Sequence, residues 1–271
     1  MKIFAVKDET DTTKRTLAWL IYYEMDKRFY IELPDDADPW ETPLLLSSFL
    51  QRGERTVNAY WSRLWVQQRI VPSDRQNLGQ ILKENHLDSY DEFELLMLGS
   101  GRCAQDDYYL VPVTESDLPD SVLIRFEKRV EDVIPLAGKH LLIFFRDGTV
   151  KKYDGNVILE KDVSFAPVLK SEELFQRVSV QTGGYGICWG ENLNVPDTAL
   201  YDGGKIVPLS LEDFLNFVEN RVVNTTEAAE LLECSRQNIE DLTRRGKLHP
   251  IKATPKNKLF LKSEIIQRKW H

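Results

Sequence analysis

The sequence is poor in cysteine, in histidine and in long apolar runs. Its three cysteines, Cys103, Cys188 and Cys234, are odd in number and far apart, which argues against a disulfide framework and favours reduced thiols in the cytoplasm. The best apolar stretch, residues 17–23, is much shorter than the roughly 18 residues of a membrane-spanning helix. The first residues also lack the apolar core of a signal peptide. We therefore expect no membrane association.

Residues suited to metal or catalytic chemistry are also scarce. The four histidines show no ligand spacing with one another or with cysteine, so the sequence predicts no metal site and no cofactor. The glycine-rich TGGYG (residues 182–186) lacks the Gly-Lys-Ser/Thr of a phosphate loop and continues as a strand, which favours a β-turn. In GRCAQDDYY (residues 101–109), Cys103 has no identifiable histidine base. We therefore predict that the protein is not an enzyme.

Apolar residues and an uneven charge distribution are what the sequence does have. Of the 271 residues, 42% are hydrophobic and 10% aromatic, which supports a folded protein of about two domains or three small ones. Residues 235–271 hold six Lys and four Arg against three acidic residues, a net charge of +7. The whole chain carries -8, so the remainder carries -15. This asymmetry is typical of a nucleic-acid-binding module on an acidic body.

Residues 1–118 are predicted to form a mixed α+β domain with a sensory or interaction role. The β-rich runs at residues 17–24 and 28–33 predict a hairpin, and residues 107–113 predict a further strand. The proline-containing acidic stretch around residues 114–120 marks a boundary. Four helices are expected, at residues 40–50, 59–70, 75–85 and 89–98, the last with Ser89 as its N-cap.

Residues 119–207 are predicted to form a small β-rich domain with one helix on its sheet. Three β-rich runs begin at about Ser121, and Asp147-Gly148 is a strong hairpin signal. SEELFQRV, from Ser171 to Val178, predicts the helix. Residues 121–204 resemble a small bacterial domain family of unknown function, some members of which are linked to toxin-antitoxin-like partners. The matching residues are Phe145, Asp147, Gly148, Leu174, Phe175, Trp189, Pro196, Asp197, Leu200 and Tyr201.

Residues 208–222 predict an amphipathic linker helix. Ser210 and Asp213 form a pair like a capping box, and several apolar residues recur at helical spacing. The simplest interpretation is a helix that docks the tail onto the body. The residues predicted for its apolar face are Leu211, Phe214, Leu215, Val218 and Val222.

Residues 223–271 are predicted to form a compact C-terminal module that begins with two short helices. Thr225 or Thr226 can cap the first, and Ser235 can cap the second after a turn at Cys234. The second helix has Arg, Gln and Asn in its first turn. A helix fits the major groove of DNA, where these side chains can hydrogen-bond base edges.

A hairpin and a last helix are predicted after Gly246, which ends the second helix. Residues 249–252 and 258–261 form the strands, Pro255-Lys256-Asn257 forms the turn, and Ser263 caps the last helix. Lysines on the hairpin are placed to contact phosphates. The predicted DNA-binding residues are Thr225, Ser235, Arg236, Gln237, Asn238, Arg244, Arg245, Lys252, Lys256 and Lys258.

The module resembles the excisionase and MerR-like winged helix-turn-helix family. The pattern is carried by Thr225, Glu227, Ala228, Ala229, Leu231, Leu232, Ser235, Ile239, Leu242, Gly246 and Leu248. The resemblance implies that the hairpin is a wing and that the module binds DNA. Two departures affect the expected turn geometry and base preference: Glu233-Cys234 replaces the usual Gly-Val, and the PKNK turn lacks the usual glycine or arginine.

The sequence thus predicts an α+β, multi-domain protein that binds double-stranded DNA sequence-specifically, as a bacterial transcriptional regulator or an excisionase-like architectural protein. A homodimer is expected, because one small module offers few base contacts whereas two can bind a pair of half-sites. The alternative is an antitoxin-type protein in which residues 1–207 capture a partner polypeptide and the tail represses the shared operon. A third option is an enzyme within residues 1–118.

Overall fold

The computed structural model describes residues 1–206, 211–255 and 257–270, with side chains omitted at residues 159–161, 211, 212 and 214. The chain divides into two compact units, Met1–Leu123 and Ile124–His271. Both are built from helices and small antiparallel sheets, which confirms the predicted α+β class. The finer division of residues 119–271 into three segments stays a prediction. No helix in the described ranges is long and apolar enough to span a bilayer.

A five-stranded antiparallel sheet organises the first unit. Its strands are β1 (Lys2–Asp8), β2 (Ala18–Tyr23), β3 (Arg28–Glu32), β4 (Thr56–Val57) and β5 (Tyr108–Val113). They are ordered β4-β3-β2-β1-β5 across the sheet. The predicted hairpin is confirmed as β2 and β3, which pair antiparallel. The helices of this unit are α1 (Leu44–Gln51), α2 (Ala59–Gln67), α3 (Leu78–Glu84) and α4 (Glu92–Leu98).

The core of the first unit joins one face of this sheet to its helices. Phe93 of α4 stacks on Tyr22 of β2 with ring centroids 4.2 Å apart, and the fully buried Trp65 of α2 belongs to the same cluster. The predicted N-cap of α4 is wrong: Asp91, not Ser89, accepts hydrogen bonds from the backbone N–H groups of the first turn. A carboxylate in this position also interacts favourably with the helix dipole.

Three antiparallel sheets form the strand structure of the second unit within the described residues. Its strands are β6 (Val130–Leu136), β7 (His140–Phe145), β8 (Val150–Asp154), β9 (Ser179–Val180), β10 (Gly186–Trp189), β11 (Leu193–Pro196), β12 (Lys205–Ile206), β13 (Val222–Asn224), β14 (Lys252–Ala253) and β15 (Lys258–Leu261). The sheets have the strand orders β12-β8-β7-β6, β11-β10-β9 and β13-β15-β14.

Nine helices accompany these strands in the described part of the chain. They are α5 (Asp120–Glu127), which spans the division between the units, α6 (Asn156–Lys161), α7 (Ala166–Lys170), α8 (Glu172–Phe175), α9 (Asp197–Gly203), α10 (Leu211–Arg221), α11 (Thr225–Leu231), α12 (Arg236–Arg244) and α13 (Lys262–Gln267). The prediction of a β-rich run from Ser121 is wrong for its first part, which forms α5. Val122 and Phe126, both buried, are one helical turn apart, a spacing that the short run of β-favouring residues obscured.

The middle segment of the chain follows several of its local signals, but the prediction of one helix on its sheet is wrong, because α6, α7, α8 and α9 all form there. Gly148 has a φ of +80° in the turn between β7 and β8, which confirms the predicted hairpin. The helix predicted from Ser171 to Val178 forms as the shorter α8, which Ser171 caps by accepting a hydrogen bond from the backbone of Leu174 at 3.2 Å. The indole N–H of Trp189 donates to the carbonyl of Phe175 at 3.0 Å, inside the core. TGGYG forms a tight turn that leads into β10.

The linker helix α10 forms, but it packs differently from the prediction. Leu215 and Val218 are exposed, whereas Phe217 packs against Phe144 of β7 with ring centroids 5.2 Å apart. Ser210 lies outside the described residues, and the described structure omits the side chains of Leu211 and Phe214. The face that contacts the four-stranded sheet is therefore rotated from the one that apolar spacing indicated.

Candidate nucleic-acid interface

The helices α11 and α12 pack around a small core. Ala228 and Ala229 of α11 are buried and present little side-chain volume, so α12 can approach closely through Ile239. Leu248 and Phe260 complete the buried centre. The sheet order β13-β15-β14 places the β14–β15 hairpin beside this pair of helices, and β13 continues directly into α11.

The first helix begins at a residue that the sequence interpretation did not select. The side-chain oxygen of Asn224 accepts hydrogen bonds from the backbone of Thr226 at 2.8 Å and of Glu227 at 3.1 Å. In return, the Glu227 carboxylate accepts from the backbone N–H of Asn224 at 2.7 Å. This reciprocal capping box fixes the start of α11. The predicted caps, Thr225 and Thr226, are therefore wrong.

The turn between the helices contains the first departure from the family pattern. Glu233 adopts a φ of +52°, a left-handed conformation that is unfavourable for a residue with a side chain and natural for glycine. The backbone N–H of Cys234 donates to the carbonyl of Ala229 at 3.0 Å and closes the turn. The turn between α11 and α12 thus forms with a residue other than glycine at its left-handed position. Ser235 then caps α12, accepting from the backbone of Asn238 at 3.2 Å, which confirms the predicted cap.

Two shallow concavities meet on the exposed side of α12, and we call their lining the α12 surface. The first is lined by Arg236, Gln237, Glu240, Asp241, Thr243, Arg244 and Lys258. The second is lined by Asn224, Thr225, Thr226, Arg236, Glu240 and Asn257. Arg236 and Glu240 belong to both, one helical turn apart. The α12 surface therefore joins the start of α11, the length of α12 and the hairpin strand β15.

Carboxylates neutralise much of the positive charge on the α12 surface. Lys258 pairs with Glu240, and Asp241 pairs with Arg244 and, at 2.7 Å, with Arg245. The first concavity thus holds three cations and two carboxylates, a net charge of only +1.

Arg236 and Gln237 differ from these paired residues. Both are exposed, and neither side chain has a hydrogen bond or an ion pair with another residue in the described part of the chain. Both also line the α12 surface, Arg236 in both concavities and Gln237 in the first, so their side chains are available there to an incoming ligand.

The remaining predicted DNA-binding residues lie in different environments. Asn238 is exposed but lines neither concavity, and Arg245 and Lys252 are likewise exposed outside them. Ser235 acts as the cap of α12. Lys256 lies outside the described residues. The sequence interpretation missed Asn224, Thr226, Glu240, Asp241, Thr243 and Asn257.

Helical spacing could have identified some of the surface residues that the sequence interpretation missed. Glu240 and Thr243 follow Arg236 at four and seven positions, the spacing of one helix face. The participation of Asn224 and Asn257 depends on tertiary packing between the helices and the hairpin, which the sequence does not display.

The last helix begins in a partly buried polar environment. Burial, and next the nearby charge of Arg221, lower the pKa of Lys262. Lys262 is therefore less suited to phosphate binding than an exposed lysine. The predicted cap of this helix is wrong, because α13 starts at Lys262 and Ser263 is buried within it.

Among the described residues, no group of three or more His, Cys, Asp or Glu side chains is arranged to hold a metal ion.

Comparison with known proteins assigns only part of the chain. Residues 130–205 match the family described as "Protein of unknown function (DUF2442)". This match confirms a domain of unknown function in the segment for which the sequence predicted one, and it supplies no activity. No helix-turn-helix family matches the C-terminal residues.

Solved and curated proteins add little to this assignment. The solved structure of "Putative DNA Binding Protein NE0471 from Nitrosomonas europaea ATCC 19718" is 26% identical in sequence to this chain. The similarity covers 45% of this chain and 79% of that one, with a TM-score of 0.26, which is too low to establish a shared fold. No curated protein matches the chain.

Proposed function

We propose that this protein binds double-stranded DNA sequence-specifically through residues 223–271, and that this segment is a winged helix-turn-helix. In this proposal α11, the turn at Glu233 and α12 are the helix-turn-helix, and the β14–β15 hairpin is the wing. The observation that carries the proposal is that Arg236 and Gln237 are exposed on the first turn of α12 and have no partner among the residues that the structure describes. The protein would act as a transcriptional regulator or an architectural protein, by binding rather than by catalysis.

The chemistry of these two residues matches base edges in the major groove. Arginine donates two hydrogen bonds to the O6 and N7 atoms of guanine, and glutamine forms a bidentate pair with adenine. Recognition helices commonly use their N-terminal residues for such contacts. Within the described residues Arg236 and Gln237 have no internal partners, so their contacts with DNA break no ion pair there.

The small area of one module favours binding by two copies. A single module of this size buries a modest surface on DNA, and two copies on a two-fold site double the base contacts. We therefore expect the protein to select a site with two related halves, spaced by about one helical turn of DNA or a multiple of it.

Selection of bound duplexes from a random pool by the full-length protein tests the proposal. We expect a defined sequence motif and an affinity that falls steeply with salt, because binding releases counterions from phosphates. The double variant Arg236→Ala, Gln237→Ala should lose the motif and bind the selected duplex on the order of 10- to 100-fold more weakly. Circular dichroism establishes that its fold is intact.

A matched control exists elsewhere in the second unit. Gln176 and Arg177, directly after α8, are exposed neighbours of the same residue types and interact with Glu172 and Glu173. The variant Gln176→Ala, Arg177→Ala removes the same groups and should retain both the motif and the affinity. The proposal is wrong if the unaltered protein binds no duplex, if its binding is insensitive to salt, or if the Arg236 and Gln237 variant selects the same motif as the unaltered protein.

A further inference from the structure

Glu240 occupies a position that general electrostatics would not favour on a DNA-binding surface. It lines both concavities of the α12 surface, one turn after Arg236, and its side chain is 52% exposed. A carboxylate at this point faces a polyanion when DNA is bound, which weakens binding by charge repulsion. Its placement at the centre of the surface therefore calls for a compensating interaction.

One compensating interaction is present within the module. Lys258 of β15 pairs with Glu240 and offsets its charge without covering it, since half of the Glu240 side chain remains exposed. A carboxylate has two oxygens with about four acceptor sites, so one lysine leaves acceptor capacity free. The pair thus presents an oriented hydrogen-bond acceptor of reduced net charge toward the ligand.

The base edges of DNA supply few donors to such an acceptor. In the major groove the donors are the N4 amino group of cytosine and the N6 amino group of adenine. The adenine amino group lies beside the N7 acceptor, which repels a carboxylate and suits an amide instead. Aspartate and glutamate accordingly accept hydrogen bonds from cytosine.

We propose that Glu240 is a specificity-determining residue that accepts a hydrogen bond from the N4 amino group of a cytosine. This inference rests on the proposed DNA binding and defines its target further. The duplex bound by this protein contains a cytosine at the position next to that contacted by Arg236. Duplexes with another base at that position are rejected, because the carboxylate loses its donor and still faces the phosphate charge.

The test compares the motifs selected by the unaltered full-length protein and by Glu240→Gln. This change keeps the side-chain shape and an oxygen that accepts from Lys258, but it removes the charge. The unaltered protein should select a cytosine at one position. The variant should lose that preference by roughly fivefold or more, with adenine gaining there, while the rest of the motif is unchanged.

A control on the same module separates base contact from overall charge. Glu230 of α11 is exposed and lines neither concavity, so Glu230→Gln removes the same charge outside the α12 surface. It should preserve the cytosine. Identical motifs for Glu240→Gln and the unaltered protein would overturn the inference. Glu240 would then have only a structural role, through its ion pair with Lys258 of the hairpin. Loss of the cytosine in Glu230→Gln would overturn it as well. If the unaltered protein selects no motif, the proposed function itself fails.

Discussion

The guanidinium Nε of Arg221 lies 2.8 Å from Oδ1 of Asp132, which ties the end of α10 to β6 of the four-stranded sheet. Arg221 also donates a hydrogen bond to the carbonyl of Val133. The Oδ2 atom of Asp132 is buried and has no hydrogen-bond partner in the described parts of the chain. The segment that matches the family of unknown function is therefore joined to the end of the linker helix α10 through a largely buried, incompletely satisfied ion pair.

This ion pair should make stability depend on pH. Burial raises the pKa of Asp132 from 3.8 to about 6, against the opposing effect of Arg221. As pH falls from 7 to 5, the folded protein takes up a proton at Asp132 and the unfolded chain does not. The contribution of Asp132 to the free energy of unfolding is thus greatest at low pH and is lost as pH rises through about 6. The gain between pH 7 and pH 5 is about 1 kcal/mol.

Urea unfolding at pH 5, 6 and 7 measures this effect. Asp132→Asn should remove the Asp132 component of the pH dependence, whatever its effect on stability at any single pH. Asp202→Asn, at an exposed residue of α9, should leave the dependence unchanged. Parallel pH profiles for Asp132→Asn and the unaltered protein would show that Asp132 does not titrate in this range.

The capping box at the start of α11 predicts a difference between two adjacent positions. Asn224→Ala removes the acceptor for the backbone N–H groups of Thr226 and Glu227 and should destabilise α11 by about 1 kcal/mol. Thr225→Ala removes no cap and should have a smaller effect. Hydrogen exchange of the α11 amides measures both changes. Equal protection in the two variants would contradict the assignment of Asn224 as the cap.

The left-handed turn residue offers a stabilising change. Glu233→Gly relieves the unfavourable φ of +52°, a gain of roughly 1 kcal/mol, although glycine increases the entropy of the unfolded chain and reduces that gain. The Glu233 side chain is largely exposed, and its ion pair with Lys269 is long, at 3.9 Å, so its removal costs little. We expect slower amide exchange in α11 and α12. Glu230→Gly, inside α11, is the control and should accelerate exchange.

Two glycines of the middle segment should respond unequally to alanine. Both have positive φ, +80° at Gly184 and +72° at Gly190. A methyl group at Gly184 would overlap the carbonyl oxygen of Val130, whereas at Gly190 it would meet open space. Gly190→Ala should cost about 1 kcal/mol through backbone strain, and Gly184→Ala about 1–3 kcal/mol more through overlap. Thermal unfolding of the two variants compares them, and equal melting temperatures would contradict this account.

The accuracy of the sequence predictions varies with the range of the interactions involved. The hairpin at Gly148 and the cap at Ser235 depend on neighbouring residues, and the structure confirms them. The orientation of α10 depends on Phe217 meeting Phe144 from a distant strand, and it was predicted incorrectly. The third strand of the C-terminal sheet, β13, was missed, since three residues carry little periodicity and pair only with β15.

At the candidate interface, too, features that depend on neighbouring residues were predicted and features that depend on long-range contacts were not. Helical spacing placed Arg236 and Gln237 on the exposed first turn of α12, where the structure has them. The charge summation for residues 235–271 did not anticipate how the charges are paired. Glu240 pairs with Lys258, and the one carboxylate of Asp241 is shared by Arg244 and Arg245; such pairing depends on side-chain geometry. The net charge of +7 for residues 235–271 already includes these two carboxylates, and the first concavity holds only +1 of it because most of the cations lie elsewhere.

Asp241→Asn tests whether this pairing limits nonspecific binding to DNA. The change removes the carboxylate that holds Arg244 and Arg245 and leaves an amide of the same shape. If both arginines then contact phosphates, affinity for a random duplex should rise, and the slope of log affinity against log salt should steepen by up to about 0.9 for each arginine. Asp202→Asn raises the net charge equally from a position outside the α12 surface. An equal gain in both variants would mean that only overall charge matters, whereas a gain confined to Asp241→Asn would show that local carboxylates restrain the basic residues of α12.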